Sequence, residues 1–270
     1  MRVTLKLLFF VLIFWMQAPA SAKDWVNINA EKPISEKTAL VIFNGFGGSK
    51  SGCKAQMAFW EDRGMDVLIP DVLLRKSLDD SSAALREFAQ EYHLEDYAEV
   101  KAICYIAGAY LMHTYVAEWG LPNLSQVIYD RSPTQERAPR AVMDRFPMVG
   151  VLALGPVLRD LSNVDWPEPP AAHVLRGLMV ENRATSIMRI LESEARAMGP
   201  LEYNWQKIDP LAADAFHLPL DHDMMYIRWD ILGEPCLHFF EHGAFPADLP
   251  RERLNDNPFD KSLPIPEVVR

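Results

Sequence analysis

The stretch Lys101-Ala-Ile-Cys-Tyr-Ile-Ala-Gly-Ala-Tyr-Leu-Met-His-Thr-Tyr-Val-Ala-Glu-Trp-Gly120 decides the fold. Residues 102–106 form a short apolar run of strand type, and then the period changes. Met112, Tyr115, Val116 and Trp119 fall at i, i+3, i+4 and i+7, one face of a helix. Gly120 and Pro122 stop that helix. A buried strand is therefore expected to turn sharply into a helix through Ile106-Ala-Gly-Ala109. Small residues crowd this turn, as a close approach of strand and helix requires.

Working outward, Ala39-Leu-Val-Ile-Phe43 is a continuous apolar run of buried-strand type. It breaks into the glycine-rich loop Asn44-Gly-Phe-Gly-Gly-Ser-Lys-Ser-Gly52, with a helix expected over about 53–63. Met65-Asp-Val-Leu-Ile69 reads as a second strand. Asp80 or Ser81 is expected to cap a helix whose apolar face is Leu85, Phe88, Ala89 and Tyr92. Further strands are expected over 125–129 and 173–180, with a strand-like patch at 148–154 and another at 205–208. A helix carrying Ile187, Ile190, Leu191 and Met198 precedes Gly199-Pro200. A second helix is expected up to about residue 245, interrupted near Gly233 to Pro235, and the Pro-rich tail from Pro246 reads as surface coil. Strands alternating with helices argue for an α/β fold, a mostly parallel sheet covered by helices on both faces.

Arg2 and Lys6, ten apolar residues and Gln17-Ala-Pro-Ala-Ser-Ala22 have the form of a secretory signal peptide, which places the protein in the periplasm or outside the cell. The run falls short of the about 20 apolar residues of a membrane span, and no integral membrane segment is expected once it is removed. Residues 23–270 then make one domain, with an irregular cap over about 133–170. The formal charge is −10 over 270 residues, and losing Arg2 and Lys6 takes it to −12. So acidic a chain argues against nucleic acid as a partner, because phosphate binding needs clustered Lys and Arg. Cys53, Cys104 and Cys236 cannot all pair with one another, and three thiols make no disulfide framework. Neither a cofactor nor a metal is expected. The His238/His242 pair has helical i, i+4 spacing but no carboxylate partner assigned to it. Gly47-Gly-Ser-Lys-Ser51 has the look of a phosphate loop, yet Asn44 and Ser49 stand at its two required glycines.

The order of these pieces resembles the α/β-hydrolase superfamily over roughly residues 39–243. Three places carry the likeness: the strand entering Asn44-Gly-Phe-Gly-Gly48, the strand–turn–helix at Ile106, and Asp221-His222-Asp223 before the last helix. The resemblance implies that His222 is the base. Asp130 and Glu181, each following an expected strand, are both candidates for the carboxylate that orients it. It also implies that Gly45 and Phe46 lie in the oxyanion loop. In the G-x-S-x-G elbow, Cys104 takes the first Gly, Gly108 the second, and Ile106 the place of the nucleophilic Ser. Ile106 has neither a proton to lose nor a lone pair to attack with. Ser132, just past a strand end, is the displaced nucleophile to weigh, although a Ser-Pro turn explains it as well. Cys104 lies deeper along the strand, and an unactivated buried thiol is inert.

Two expectations follow. In the first, the protein is a pseudoenzyme that has lost serine acyl transfer and binds a small or lipid-like ligand in the old cleft. In the second, it is an active esterase- or lipase-like hydrolase using Ser132, or His222 with a carboxylate acting as general base on water.

Overall fold

The computed structural model describes residues 24–46 and 48–264, so the leader expected over 1–22 lies outside the described residues. In chain order the elements are β1 (Trp25–Asn27), β2 (Thr38–Phe43), α1 (Lys50–Trp60), β3 (Asp66–Ile69), α2 (Leu78–Glu91), β4 (Glu99–Cys104) and α3 (Ile106–Trp119). Then come β5 (Leu124–Arg131), the cap helices α4 (Ala138–Arg145), α5 (Pro147–Leu154) and α6 (Val157–Asn163), and β6 (Leu175–Glu181). The chain continues through α7 (Ser186–Ile190), α8 (Glu192–Ala197), α9 (Trp205–Ile208), β7 (Asp214–Leu218), α10 (His222–Met225) and α11 (Trp229–His242).

The seven strands run in the order β1-β3-β2-β4-β5-β6-β7. Only β1 is antiparallel to its neighbour; the other pairings are parallel. Period-2 alternation sends β2 into two cores at once. Ala39, Val41 and Phe43 pack on one face, with α2 and α3 residues such as Leu85, Phe88 and Met112. Leu40 and Ile42 pack on the other, with Trp60 of α1 and Trp229, Leu232 and Phe239 of α11. A strand apolar at every position is thus the mark of a sheet covered on both sides. Among the described residues no helix is long and apolar enough to cross a membrane.

Several local expectations are corrected. Ser77, not Asp80 or Ser81, caps α2: its hydroxyl accepts from the Asp80 N–H, and Ser81 is buried inside the helix. The apolar patch at 148–154 is helix α5 rather than strand. It starts with Pro147 in its first turn and ends where the Gly155 N–H donates to the Val151 carbonyl at 2.8 Å. The 205–208 patch is the short helix α9, capped by the Asn204 side chain. The last strand, β7, lies just beyond it. Helix α11 runs through Pro235 without a break, and the helix expected over 187–198 divides into α7 and α8. The tail is not free coil. The Pro250 carbonyl accepts from the His217 N–H on the outer edge of β7, Arg251 forks onto Asp214, and Phe259 is buried under the cap. It shields an edge strand that would otherwise offer unpaired backbone groups.

Of the described glycines, the one at the turn between β4 and α3 has the least room for a side chain. A Cβ on Gly108 would lie 2.0 Å from the Phe43 carbonyl oxygen and 2.5 Å from its carbon. Backbone cannot move aside as a side chain can. Gly108→Val is therefore expected to cost about 3 kcal/mol or more, at or above the upper end for overpacked cores. Urea unfolding measures this directly, and a midpoint equal to wild type would show that α3 does not press against β2 in this way.

Candidate active site

The site gathers at the C-terminal ends of β2, β4, β5 and β6, where an α/β sheet presents its loops. Asp130 is near the end of β5 and Glu181 ends β6, so parallel neighbours deliver both carboxylates to one place. His222 comes from the turn after β7, at the start of α10, where Asp221 accepts from the Met224 N–H. The imidazole Nδ1 faces both acids, with Glu181 Oε1 at 2.7 Å and Asp130 Oδ2 at 3.0 Å. The cluster is closed off from water: His222 is 6 %, Glu181 1 % and Asp130 0 % exposed. His222, flanked by two Asp in sequence, is thus a core residue rather than a solvated one.

Burial of this cluster alters the proton affinity of Glu181 and His222. Burial, and then the neighbouring Asp130, push Glu181 well above the usual carboxyl range. Burial disfavours the His222 imidazolium, but the charges and hydrogen bonds of Glu181 and Asp130 outweigh it and raise His222 well above the ordinary imidazole value. Because their ligand atoms lie within 4.8 Å of one another, these three residues form the cluster among the described residues best able to hold a cation. Nδ1, which faces Glu181 across a hydrogen bond, would first have to give up that bond and any proton it carries.

On the opposite side of the ring, Nε2 meets the hydroxyl of Tyr226 at 3.2 Å. The phenol O–H can donate to the neutral imidazole, or its oxygen can accept from the imidazolium. The same oxygen accepts from the Gly45 backbone N–H at 3.3 Å. Gly45 lies against the first turn of α3, since a Cβ on it would sit 3.6 Å from the Ala107 nitrogen. First-turn N–H groups have no intrahelical acceptor. The Gly45 amide is already bonded to Tyr226, which is 1 % exposed and lies between that amide and the imidazole. Burial, then Asp130 and Tyr105, keep its phenol protonated by raising its pKa well above the ordinary value.

Tyr226 is held by what lies beneath it. Its ring stacks on Tyr105 with centroids 4.1 Å apart and planes 12° from parallel. The Tyr105 hydroxyl donates to the Met225 carbonyl at 2.8 Å and accepts from Gln56 Nε2 at 3.2 Å. Gln56 in turn exchanges paired amide hydrogen bonds with Asn44, at 2.9 and 3.1 Å. Tyr105 is the residue between β4 and α3. With φ −79° and ψ 161° its backbone is extended, and His93 is the one non-glycine with positive φ among the described residues. The strained geometry that aims a nucleophile is therefore absent from the turn. Ile106 begins α3 and is half-buried.

The other candidates stand apart from Nε2. Ser132 is fully buried, but its hydroxyl faces Thr134 Oγ1 at 3.4 Å and accepts from the Gln135 N–H at 3.2 Å. It has the turn role and makes no hydrogen bond to His222. Cys104 is buried in β4, and burial pushes its thiol well up. Burial, then Asp71, pushes Cys53 up to about 11. All three thiols are free. His238 donates from Nδ1 to the Ala244 carbonyl at 2.7 Å, and its ring packs edge-on to His242. Phe46 packs against the core on the α2 and α3 side of the sheet. Sequence reading missed Tyr226 and Tyr105. The signal for Tyr226 was its position four residues after His222, on one side of the same turn.

No family model and no curated protein matches the sequence. Solved structures do resemble the fold. The Bacillus licheniformis lipase BlEst2 in mature form is 14 % identical with a TM-score of 0.52, over 81 % of this chain and 97 % of its own. Est1E from Butyrivibrio proteoclasticus is 10 % identical with a TM-score of 0.50, over 81 % and 92 %. An α/β-hydrolase enzyme from the sediment metagenome of the Mar Chica lagoon, Morocco, is 16 % identical with a TM-score of 0.47, over 81 % and 99 %. At such identities the likeness is one of fold.

The charge arrangement at His222 has a consequence for stability. Both resolved shifts are upward, so folding takes up protons between the unfolded values, about 4.3 for Glu and 6.5 for His, and the higher folded ones. That stabilisation is complete below the unfolded pKa and is lost as the pH rises through the folded one. The thermal midpoint is expected to fall as the pH rises from about 5 to about 9, and Glu181→Gln should flatten the slope. A variant with an undiminished slope would show that Glu181 does not take up a proton on folding.

Proposed function

Taking the α/β-hydrolase fold as its starting point, we propose that this protein performs no serine acyl transfer and acts as a binding protein for a small, lipid-like ligand. One observation carries the first half. The hydroxyl beside His222 Nε2 belongs to Tyr226, which is buried, stacked and protonated, and it already occupies the Gly45 amide that would stabilise an oxyanion. Acyl transfer needs a nucleophile on the base and an empty donor pair for the developing charge. Here a single phenol lies on the base and on the Gly45 amide. Removing it would leave buried polar groups unpaired, at about 1–3 kcal/mol each, so the closed arrangement is the stable one.

The ligand-binding half is supported by the cap, whose helix α5 leaves large apolar side chains uncovered beside a groove. Export through the leader at residues 1–22 belongs to the same reading and places the ligand outside the cytoplasm. Intact-mass analysis of the exported protein after exposure to a fluorophosphonate tests both points. The expected mass begins at Lys23 and shows no adduct. An adduct mapped to Ser132 or another residue would instead support a hydrolase with a displaced nucleophile, and a retained Met1 would contradict export.

A further inference from the structure

A second feature lies on the cap, apart from the filled site. Between the loop that follows β3 and helices α5 and α6 runs a groove of about 610 Å³, lined by Arg75, Lys76, Met148, Val151, Leu152 and Arg159 among others. The groove is shallow and open along its length. Its floor is apolar and uncovered: Met148 is 85 % and Leu152 62 % exposed, two of the three most exposed large apolar side chains described. Contiguous apolar surface left in water marks a place where something binds.

The groove is also pre-shaped. The Arg75 carbonyl accepts from the Val157 N–H at 3.2 Å, Arg75 Nη2 donates to the Leu152 carbonyl at 3.0 Å, and Asp160 Oδ2 accepts from the Leu78 N–H at 3.0 Å. Gly155 makes the closest approach. It sits at φ +92°, and a Cβ there would lie 2.2 Å from the Arg75 oxygen. A ligand would find this groove formed and would not have to order it.

Its rim is cationic in a chain of formal charge −10. Lys76 is paired with Asp80 at 2.8 Å. Arg75 spends one of its five N–H donors on Leu152. The Arg159 guanidinium has no protein partner among the described residues, and its backbone carbonyl is what Ser162 and Asn163 use.

We infer that this groove binds a single-chain anionic amphiphile, a long-chain carboxylate being the simplest. This rests on the ligand-binding reading above and names its chemistry. The acyl chain covers Met148, Val151 and Leu152, and the carboxylate takes the planar fork of Arg159 with the spare donors of Arg75. An alcohol of the same length finds the same apolar floor but cannot form the ion pair. An anionic bilayer would meet the whole acidic face of the protein, which its charge repels.

Isothermal titration of the folded protein with dodecanoate below its micellar concentration tests the assignment, with dodecanol as the neutral twin. Dodecanoate is expected to bind at least about tenfold more tightly than dodecanol, the scale of a hydrogen-bonded charge. Arg159→Glu should remove that advantage and leave dodecanol unchanged, while Leu152→Asp should weaken both. Both positions are exposed, so circular dichroism should confirm folded variants. Equal affinity for the two ligands, indifference to Arg159→Glu, or binding only to anionic phospholipid vesicles would overturn the proposal. So would weakening by Tyr226→Phe alone, which would move the site to the buried cluster. A protein that binds neither amphiphile and still takes no fluorophosphonate would lose this groove ligand while its silent acyl-transfer site stood.

Discussion

The structure depends most on one oxygen, the Tyr226 hydroxyl, lying 3.2 Å from His222 Nε2 and 3.3 Å from the Gly45 nitrogen. Around it lie an imidazole flanked by two carboxyl groups, the Gly45 amide and the first turn of α3. The Tyr226 side chain, 1 % exposed, fills the space between them. A satisfied polar cluster of this kind rigidifies a core, and a partly satisfied one destabilises it. Tyr226 is what completes the satisfaction of the Nε2 side.

The Nδ1 side is less economical. Two carboxyl groups face a single ring nitrogen, and among the described residues Asp130 Oδ1 has no hydrogen-bond partner. Such an excess of buried negative charge is held down by retained protons, the physical origin of the upward shifts at Glu181 and His222. Both acids come from adjacent parallel strands, so sheet register brings them together before any side chain chooses a rotamer. The tight turn at Gly108 acts at the same level: it brings α3 against β2, and with it Tyr105 beneath Tyr226.

Much of this was legible in the residues. The apolar run at 39–43 lies in a buried parallel strand and that at 102–106 begins in one, but β4 ends at Cys104 and Ile106 already opens the helix. Small residues at 107–109 marked the close turn, and chain order drew attention to Asp130, Glu181 and His222, which the structure brings within hydrogen-bond distance. Other features were hidden for physical reasons. Residues 148–154 form an apolar run without period, and such a run does not distinguish strand from helix; its place outside the sheet decided the matter. Strand β7 is short and carries Asp214 and His217, so it lacks a strong strand pattern. The tail from Pro246 offers little local propensity, and long-range bonds to Asp214, Asn182 and Ala184 tie it down. Tyr226 lies four residues after His222, but nothing local places its hydroxyl against the Gly45 amide, 181 residues away along the chain.

The central claim is that this hydroxyl, and not an open cleft, lies against the base. A crystal structure of the protein at a resolution that shows ordered water tests it most directly. The account predicts Tyr226 stacked on Tyr105 with its hydroxyl in hydrogen-bond contact with both His222 Nε2 and the Gly45 N–H. A Tyr226 ring turned away, with water reaching Nε2 along an open channel past Ile106, would contradict it.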